Sequence, residues 1–141
     1  MSYDIEVATS RKIPWSLVAA YLRRHKLESS GSFSQTGGLL EVSRQDKGED
    51  EYLFDLSVPQ GVRPRDLVQD FSQFSGAVRD PRWLLGIGVS GFDDDGIREA
   101  VAFARYLARH CEGAVFDGQA GGIIWPAGKR ELRRRKTRVV E

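Results

Sequence analysis

Cysteine is nearly missing. Cys111 stands alone among 141 residues, which excludes an internal disulfide and any zinc site with two or more thiolate ligands. Histidine is scarce as well, at His25 and His110, which leaves little for a histidine-rich metal centre. The longest nearly apolar run, Trp83 to Val89, falls far short of the ~20 residues a membrane helix needs. The opening Met1-Ser2-Tyr3-Asp4-Ile5-Glu6 is charged and lacks a signal peptide's apolar segment, so a soluble, cytoplasmic protein is expected. Neither sign of charge dominates: 21 Lys and Arg against 20 Asp and Glu give +1. That argues against a uniformly basic nucleic-acid coat or an acidic chaperone-like chain. The hydrophobic share of 40% against 29% charged is that of a globular chain. A chain of this length makes about one domain, burying roughly 70% of its unfolded surface without staples.

The average charge conceals an asymmetry. Residues 129–141 hold seven cations (Lys129, Arg130, Arg133, Arg134, Arg135, Lys136, Arg138) and two carboxylates, a net +5; residues 1–128 are left with 14 basic and 18 acidic residues, a net −4. Pro126-Ala127-Gly128 separates them, a plausible stop signal. The expected organisation is one domain over 1–128 and a basic C-terminal tail over 129–141.

Tyr3 to Ala8 alternates apolar and polar, which predicts a strand with one buried face. Ile13-Pro14-Trp15 opens a helix, since proline is tolerated in the first turn. Trp15, Val18, Ala19 and Leu22 form its apolar stripe. Arg23, Arg24 and Lys26 complement its dipole, and Ser29-Ser30-Gly31 breaks it. Phe33–Ser43, with a bend at Gly37-Gly38, and Tyr52–Val58 predict a hairpin whose loop, Arg44 to Glu51, is charged and exposed. Pro64-Arg65-Asp66 opens a second helix with Leu67, Val68, Phe71 and Phe74 inward. Trp83–Val89 reads as a buried strand. A third helix follows, capped by Asp93 or Asp94, with Ile97, Ala100, Val101, Ala104, Leu107, Ala108 and Cys111 on its core face and Gly113 as its stop. Ala114–Phe116 and Ile123–Trp125 close the chain as a hairpin.

This mixture predicts an α+β fold: a mixed, mainly antiparallel sheet with two to three helices on one face. The first six elements resemble the ferredoxin-like βαββαβ unit, followed by a C-terminal helix and hairpin. In general character, a small acidic body without a visible catalytic set resembles small bacterial immunity and inhibitor proteins. That resemblance implies a partner protein and assigns no individual residue.

Several segments invite a chemical reading. Gly86-Ile87-Gly88-Val89-Ser90-Gly91 matches the dinucleotide fingerprint G-x-G-x-x-G, with Asp117 after the next strand as a ribose ligand. Yet Asp93, Asp94 and Asp95 at the following helix start would repel a pyrophosphate, and close packing of glycines explains the motif without a ligand. The three aspartates lack the spacing of a calcium loop, and helix capping accounts for them. His110 and Cys111 are adjacent on a helix, so their side chains diverge and make no nucleophile–base pair. No cofactor or metal is expected. Tyr52, Phe54 and Phe33 would stack bases only if they lay outward; core packing is the simpler expectation.

Two charged features remain. Asp46, Glu49, Asp50 and Glu51 make an acidic hairpin tip, which Asp93–Asp95 would extend if the fold placed both on one side; such loops steer and occupy a basic cleft. The tail cations suit phosphates or an acidic surface, without an aromatic platform for bases and with too few apolar residues to insert into a membrane. The leading expectation is therefore a non-enzymatic protein-binding domain, in its sharpest form an immunity or inhibitor protein that blocks a basic partner through acidic loops. The alternative is a nucleic-acid-associated protein using Lys129 to Arg138. A small enzyme using Asp117, His110 or Asp93–Asp95 comes third.

Overall fold

The computed structural model describes residues 2–31, 39–57, 60–61, 77–78, 80–90, 94–120 and 122–125. In chain order they form β1 (Ser2–Thr9), α1 (Trp15–Arg24), β2 (Glu28–Gly31), β3 (Leu39–Asp46) and β4 (Glu49–Ser57). There follow β5 (Gln60–Gly61), β6 (Trp83–Ser90), α2 (Asp94–His110), β7 (Gly113–Asp117) and β8 (Gly122–Trp125). The strands make one sheet in the order β2-β3-β4-β6-β1-β7-β8, with β5 pairing β6 beside that path.

Alternation sorts the side chains onto two faces, because successive residues of a strand point to opposite sides. Ile5 and Val7 of β1, and Leu85, Ile87 and Val89 of β6, go inward and are buried. Val18, Tyr21 and Leu22 of α1 join Ala100, Phe103, Ala104, Leu107 and Ala108 of α2 in the same core. Phe103 sits at its centre, with ring centroids 5.0 Å from Tyr21 and 5.4 Å from Phe54. Burying a side chain of this size stabilises by about 1.5–3 kcal/mol. A smaller cluster lies on the opposite face, where Ala8 and Ala114 meet Val78, with Leu84, Phe116 and Ile123 packed around them.

Helices combined with an antiparallel sheet are as the sequence predicts, but the ferredoxin-like arrangement is not what forms. The sheet dominates, and two helices are present among the described residues. A ferredoxin-like unit rests on split βαβ crossovers, which run strands parallel. Here both neighbours of β1, namely β6 and β7, run antiparallel to it. The chain after α1 goes instead to the far edge of the sheet as β2, antiparallel to β3. Ser29-Ser30-Gly31, read as a helix breaker, belongs to that exposed edge strand. Polar residues with neither apolar period concealed it.

The helix ends also differ from expectation. Lys26, at φ 56°, closes α1. The Leu27 amide donates to the Leu22 carbonyl at 2.8 Å and the Lys26 amide to the Arg23 carbonyl at 3.2 Å, a Schellman pair built without glycine. After α2 the left-handed residue is Glu112, at φ 53°, and not Gly113. Gly113 is instead the first residue of β7, where a Cβ would lie 2.4 Å from the Ala8 carbonyl oxygen.

Three expectations fall outside the described residues: the helix over Leu67–Phe74, the bend at Gly37-Gly38, and the tail from Lys129 to Arg138. No helix among the described residues is long and apolar enough to cross a membrane.

Candidate protein-binding surface

The hairpin predicted to carry an acidic loop is tighter than the sequence suggests. β3 and β4 pair as far as Asp46↔Glu49, leaving Lys47-Gly48 as the turn. Both turn residues have positive φ, 54° and 83°, the condition for the two-residue turns that match strand twist. Asp46, Glu49 and Asp50 are exposed there, and Asp50 accepts a hydrogen bond from the Gln45 amide. Glu51 is only half-exposed: Arg44 pairs with it at 3.5 Å and with Glu99 of α2 at 3.4 Å. That shared guanidinium ties the hairpin stem to the first turns of α2, where Asp94 and Asp95 stand exposed. Asp95 in turn meets Arg98 at 3.8 Å. Asp93 lies outside the described residues. The two acidic loops are therefore neighbours, with Arg44, Lys47 and Arg98 interleaved.

A more continuous acidic surface lies on the sheet face away from the helices. The register puts Ser30, Glu41, Asp55, Gly88 and Asp4 in one row across β2, β3, β4, β6 and β1. The next row joins Gly86, Glu6 and Phe116. Gly86 and Gly88 leave the centre of this face without side chains, and a recess of about 450 Å³ results. Asp4, Glu6, Asp55, Ser57, Leu39 and Leu84 line it around the glycine floor. Leu39 is 53% exposed, a large apolar side chain on the rim.

The polar groups of the recess are held in place. The Ser57 hydroxyl accepts from the Gly86 amide at 3.0 Å and donates to the Gly86 carbonyl at 3.1 Å, so a side chain prolongs the β4–β6 ladder. Tyr52 donates its hydroxyl proton to Asp55 Oδ2 at 2.9 Å and lies 3.3 Å from the Gly88 carbonyl. Burial pushes the Tyr52 hydroxyl up to about 12, followed by the bond to Asp55 and by the charges of Asp55 and Glu41, against a smaller opposing bond from Ser90. The negative potential of the face is thus felt by its own tyrosine.

The fingerprint glycines therefore serve a different purpose. Gly86 and Gly88 lie inside β6, where a Cβ would come within 2.8 Å of Ser57 Oγ or 2.9 Å of Asp55 Oδ1, and Gly91 lies outside the described residues. Asp117, assigned to a ribose by the motif, is buried and committed to the fold. It accepts the Tyr3 hydroxyl proton and the Gln119 and Ala120 amides at 3.0 and 3.1 Å, fixing the β7–β8 turn. Burial, then this bond and the Asp117 charge, push the Tyr3 hydroxyl up to about 12.

His110 and Cys111 do not meet. The imidazole packs on Tyr106, ring centroids 4.5 Å apart, while the buried thiol points to the Lys12 carbonyl at 3.8 Å. Burial pushes the thiol pKa up and the Arg11 charge lowers it less. Phe54 is fully buried, Tyr52 turns to Asp55, and Phe33 lies outside the described residues. No group of three or more His, Cys, Asp or Glu among the described residues is arranged to hold a metal ion.

Sequence reasoning missed Asp4, Glu6, Glu41 and Asp55 as one surface. The alternation in β1 and the x-Gly-x-Gly spacing in β6 already put those residues on one face. What it lacked was the register that aligns three strands. Family models, curated proteins and solved structures yield no match to this chain.

Proposed function

We propose that this protein is a non-enzymatic binding domain that takes a basic protein segment on the open face of its sheet. The observation that carries the reading is the glycine-floored recess in β6 with carboxylates from β1 and β4 on its two sides. A lysine or arginine stem can lie along the bare backbone of Gly86 and Gly88 while its charge meets Asp4, Glu6 or Asp55. Charge-assisted hydrogen bonds of this kind are about twice as strong as neutral ones. The exposed rim residue Leu39 offers apolar area to the same partner.

The hairpin tip has a different part. Asp46, Glu49 and Asp50 add negative potential at the end of the molecule and steer a cationic partner, which affects encounter more than residence. In its sharpest form the domain is an inhibitor or immunity protein that occupies the basic cleft of its target.

The test is capture from a nuclease-treated native lysate at low and moderate salt, using wild type and an E41Q/D55N variant. Asn at 55 still accepts the Tyr52 proton, so the variant removes charge with little change of shape. The expected result is one stoichiometric protein held by wild type and lost by the variant. Capture that disappears with nuclease, or that is equal for both proteins, overturns the reading.

A further inference from the structure

We propose that a second site lies on the helix side of the sheet, where the β1–α1 loop, the start of α1 and the end of α2 border a cavity for a small organic acid: one carboxylate on an apolar body. It is separate from the sheet-face recess and stands or falls without it.

The cavity holds about 420 Å³, within the range of small-molecule sites. Pro14, Leu17 and Ala20 along α1 and Cys111 after α2 give it apolar walls. Burial pushes the Cys111 thiol pKa up, so the sulfur stays uncharged and acts as a small apolar group. Arg11 and Lys12 of the loop and His110 of α2 complete the lining, and all three are exposed. The space exists because the helices part here. Farther along, Tyr21 fills the gap between them, its ring centroid 5.0 Å from Phe103 and 4.8 Å from Tyr106. Toward the start of α1 the residues are smaller: Leu17 stays half-buried and Ala20 exposed, so apolar surface is left facing water.

The cationic loop is already ordered. The Ser10 and Arg11 amides donate to the Glu112 and Cys111 carbonyls at 3.2 and 3.1 Å. The buried Thr9 hydroxyl donates to the Arg11 carbonyl at 2.7 Å, and the Cys111 thiol lies 3.8 Å from the Lys12 carbonyl. A ligand therefore spends little of its binding energy on arranging the backbone that presents the charges.

The charges select a single carboxylate. Lys12 lies over the Trp83 ring, 5.6 Å from its centroid, and makes no salt bridge among the described residues. Its flexible stem lets the ammonium turn to a ligand. Arg11 pairs with Glu112 at 3.5 Å, both side chains largely exposed, a weak pair that leaves guanidinium donors over. The Glu112 carboxylate so close by repels a dianion such as phosphate. The first turn of α1 brings no acid of its own.

The experiment titrates octanoate and phenylacetate into isotope-labelled full-length protein, followed by the amide signals in NMR. Acetate, inorganic phosphate and octanol serve as comparisons, the first two lacking the apolar body and the third the charge. Expected shifts fall on Arg11, Lys12, Ser16, Leu17 and Cys111. At least one of the two acids should bind about tenfold or more tightly than each comparison, the size of one charge-assisted hydrogen bond. Lys12→Met keeps the stem and removes the charge, and should weaken that acid by a similar factor. Ala20→Trp, a change at an exposed position, should fill the cavity and abolish binding while the rest of the spectrum is retained.

Octanol binding as tightly as the acids, or full affinity in Lys12→Met, overturns the role of the cations. Acetate or phosphate binding as tightly overturns the role of the apolar walls. Shifts on Gly86 and Gly88 in place of the loop, or full affinity in Ala20→Trp, put the acid elsewhere and overturn the site. Binding of neither acid overturns the proposal outright.

Discussion

Asp4 and Asp55 lean over Gly88 from opposite sides: a Cβ at that glycine would lie 2.9 Å from Asp55 Oδ1 and 3.7 Å from Asp4 Oδ1. The two carboxylates come from strands that never pair with each other, and β6 between them contributes only backbone. Gly88 thus leaves room for acids on both neighbouring strands, and Gly86 for the Ser57 hydroxyl.

That relationship separates two kinds of glycine. Gly88→Ala meets the tip of an aspartate side chain, which can rotate away; Gly113→Ala meets the Ala8 carbonyl at 2.4 Å, which cannot. Gly113→Ala is expected to cost about 1–3 kcal/mol through overpacking. Gly88→Ala is expected to stay within about 1 kcal/mol while turning Asp55 away from Tyr52. Thermal denaturation of both variants checks this, at roughly 2–4 °C in Tm per kcal/mol for a chain of this size.

Alkaline pH tests the tyrosine environments. The hydroxyls of Tyr3, Tyr21 and Tyr52 are each raised from 10.0 to about 12, with burial the first cause in every case. A group whose folded pKa lies above its unfolded value stabilises the fold below the unfolded value. These contributions should hold below pH 10 and be lost as pH rises from 10 through 12. Urea denaturation at a series of pH values should show that fall, and Tyr52→Phe should reduce its slope. An unchanged slope in the variant would mean that Tyr52 ionises as freely in the fold as in the open chain.

Lys26 pays a conformational cost at the end of α1. A side chain at φ 56° is strained where glycine is not. Lys26→Gly should raise stability by about 0.5–1 kcal/mol, provided the Schellman bonds of Leu27 and Lys26 are kept. Denaturant midpoints of the two proteins measure it, and a lower midpoint for Lys26→Gly would refute it.

How far the sequence disclosed this molecule follows from the range of each signal. Local periodicity located β1, α1, β6 and α2 closely, because each has a continuous apolar face. It also identified the closing hairpin of β7 and β8. β2 was invisible, being four exposed residues with no apolar period. The overall topology was misread because the order of elements does not determine which strands pair. Nothing in residues 3–8 says that their neighbours are 83–90 on one side and 113–117 on the other. The binding surface was missed for the same reason. Asp4, Glu41 and Asp55 are ordinary outward residues of three separate strands until register aligns them. The acidic tip stands out because its charges are consecutive in sequence, yet in the fold Arg44 pairs with one of them, Glu51.

The most direct test of a basic-segment binder is the association kinetics of a short oligo-arginine peptide with three full-length proteins at two salt concentrations. They are wild type, a sheet-face variant (D4N/E6Q/E41Q/D55N) and a tip variant (D46N/E49Q/D50N). Contacts in the recess should govern residence, and distant charges should govern encounter. The expected result is faster dissociation from the sheet-face variant, by about tenfold or more for the loss of 1.4 kcal/mol. The tip variant should dissociate like wild type and associate more slowly, at low salt alone. Dissociation from the sheet-face variant at the wild-type rate would contradict the assignment of the recess as the binding surface.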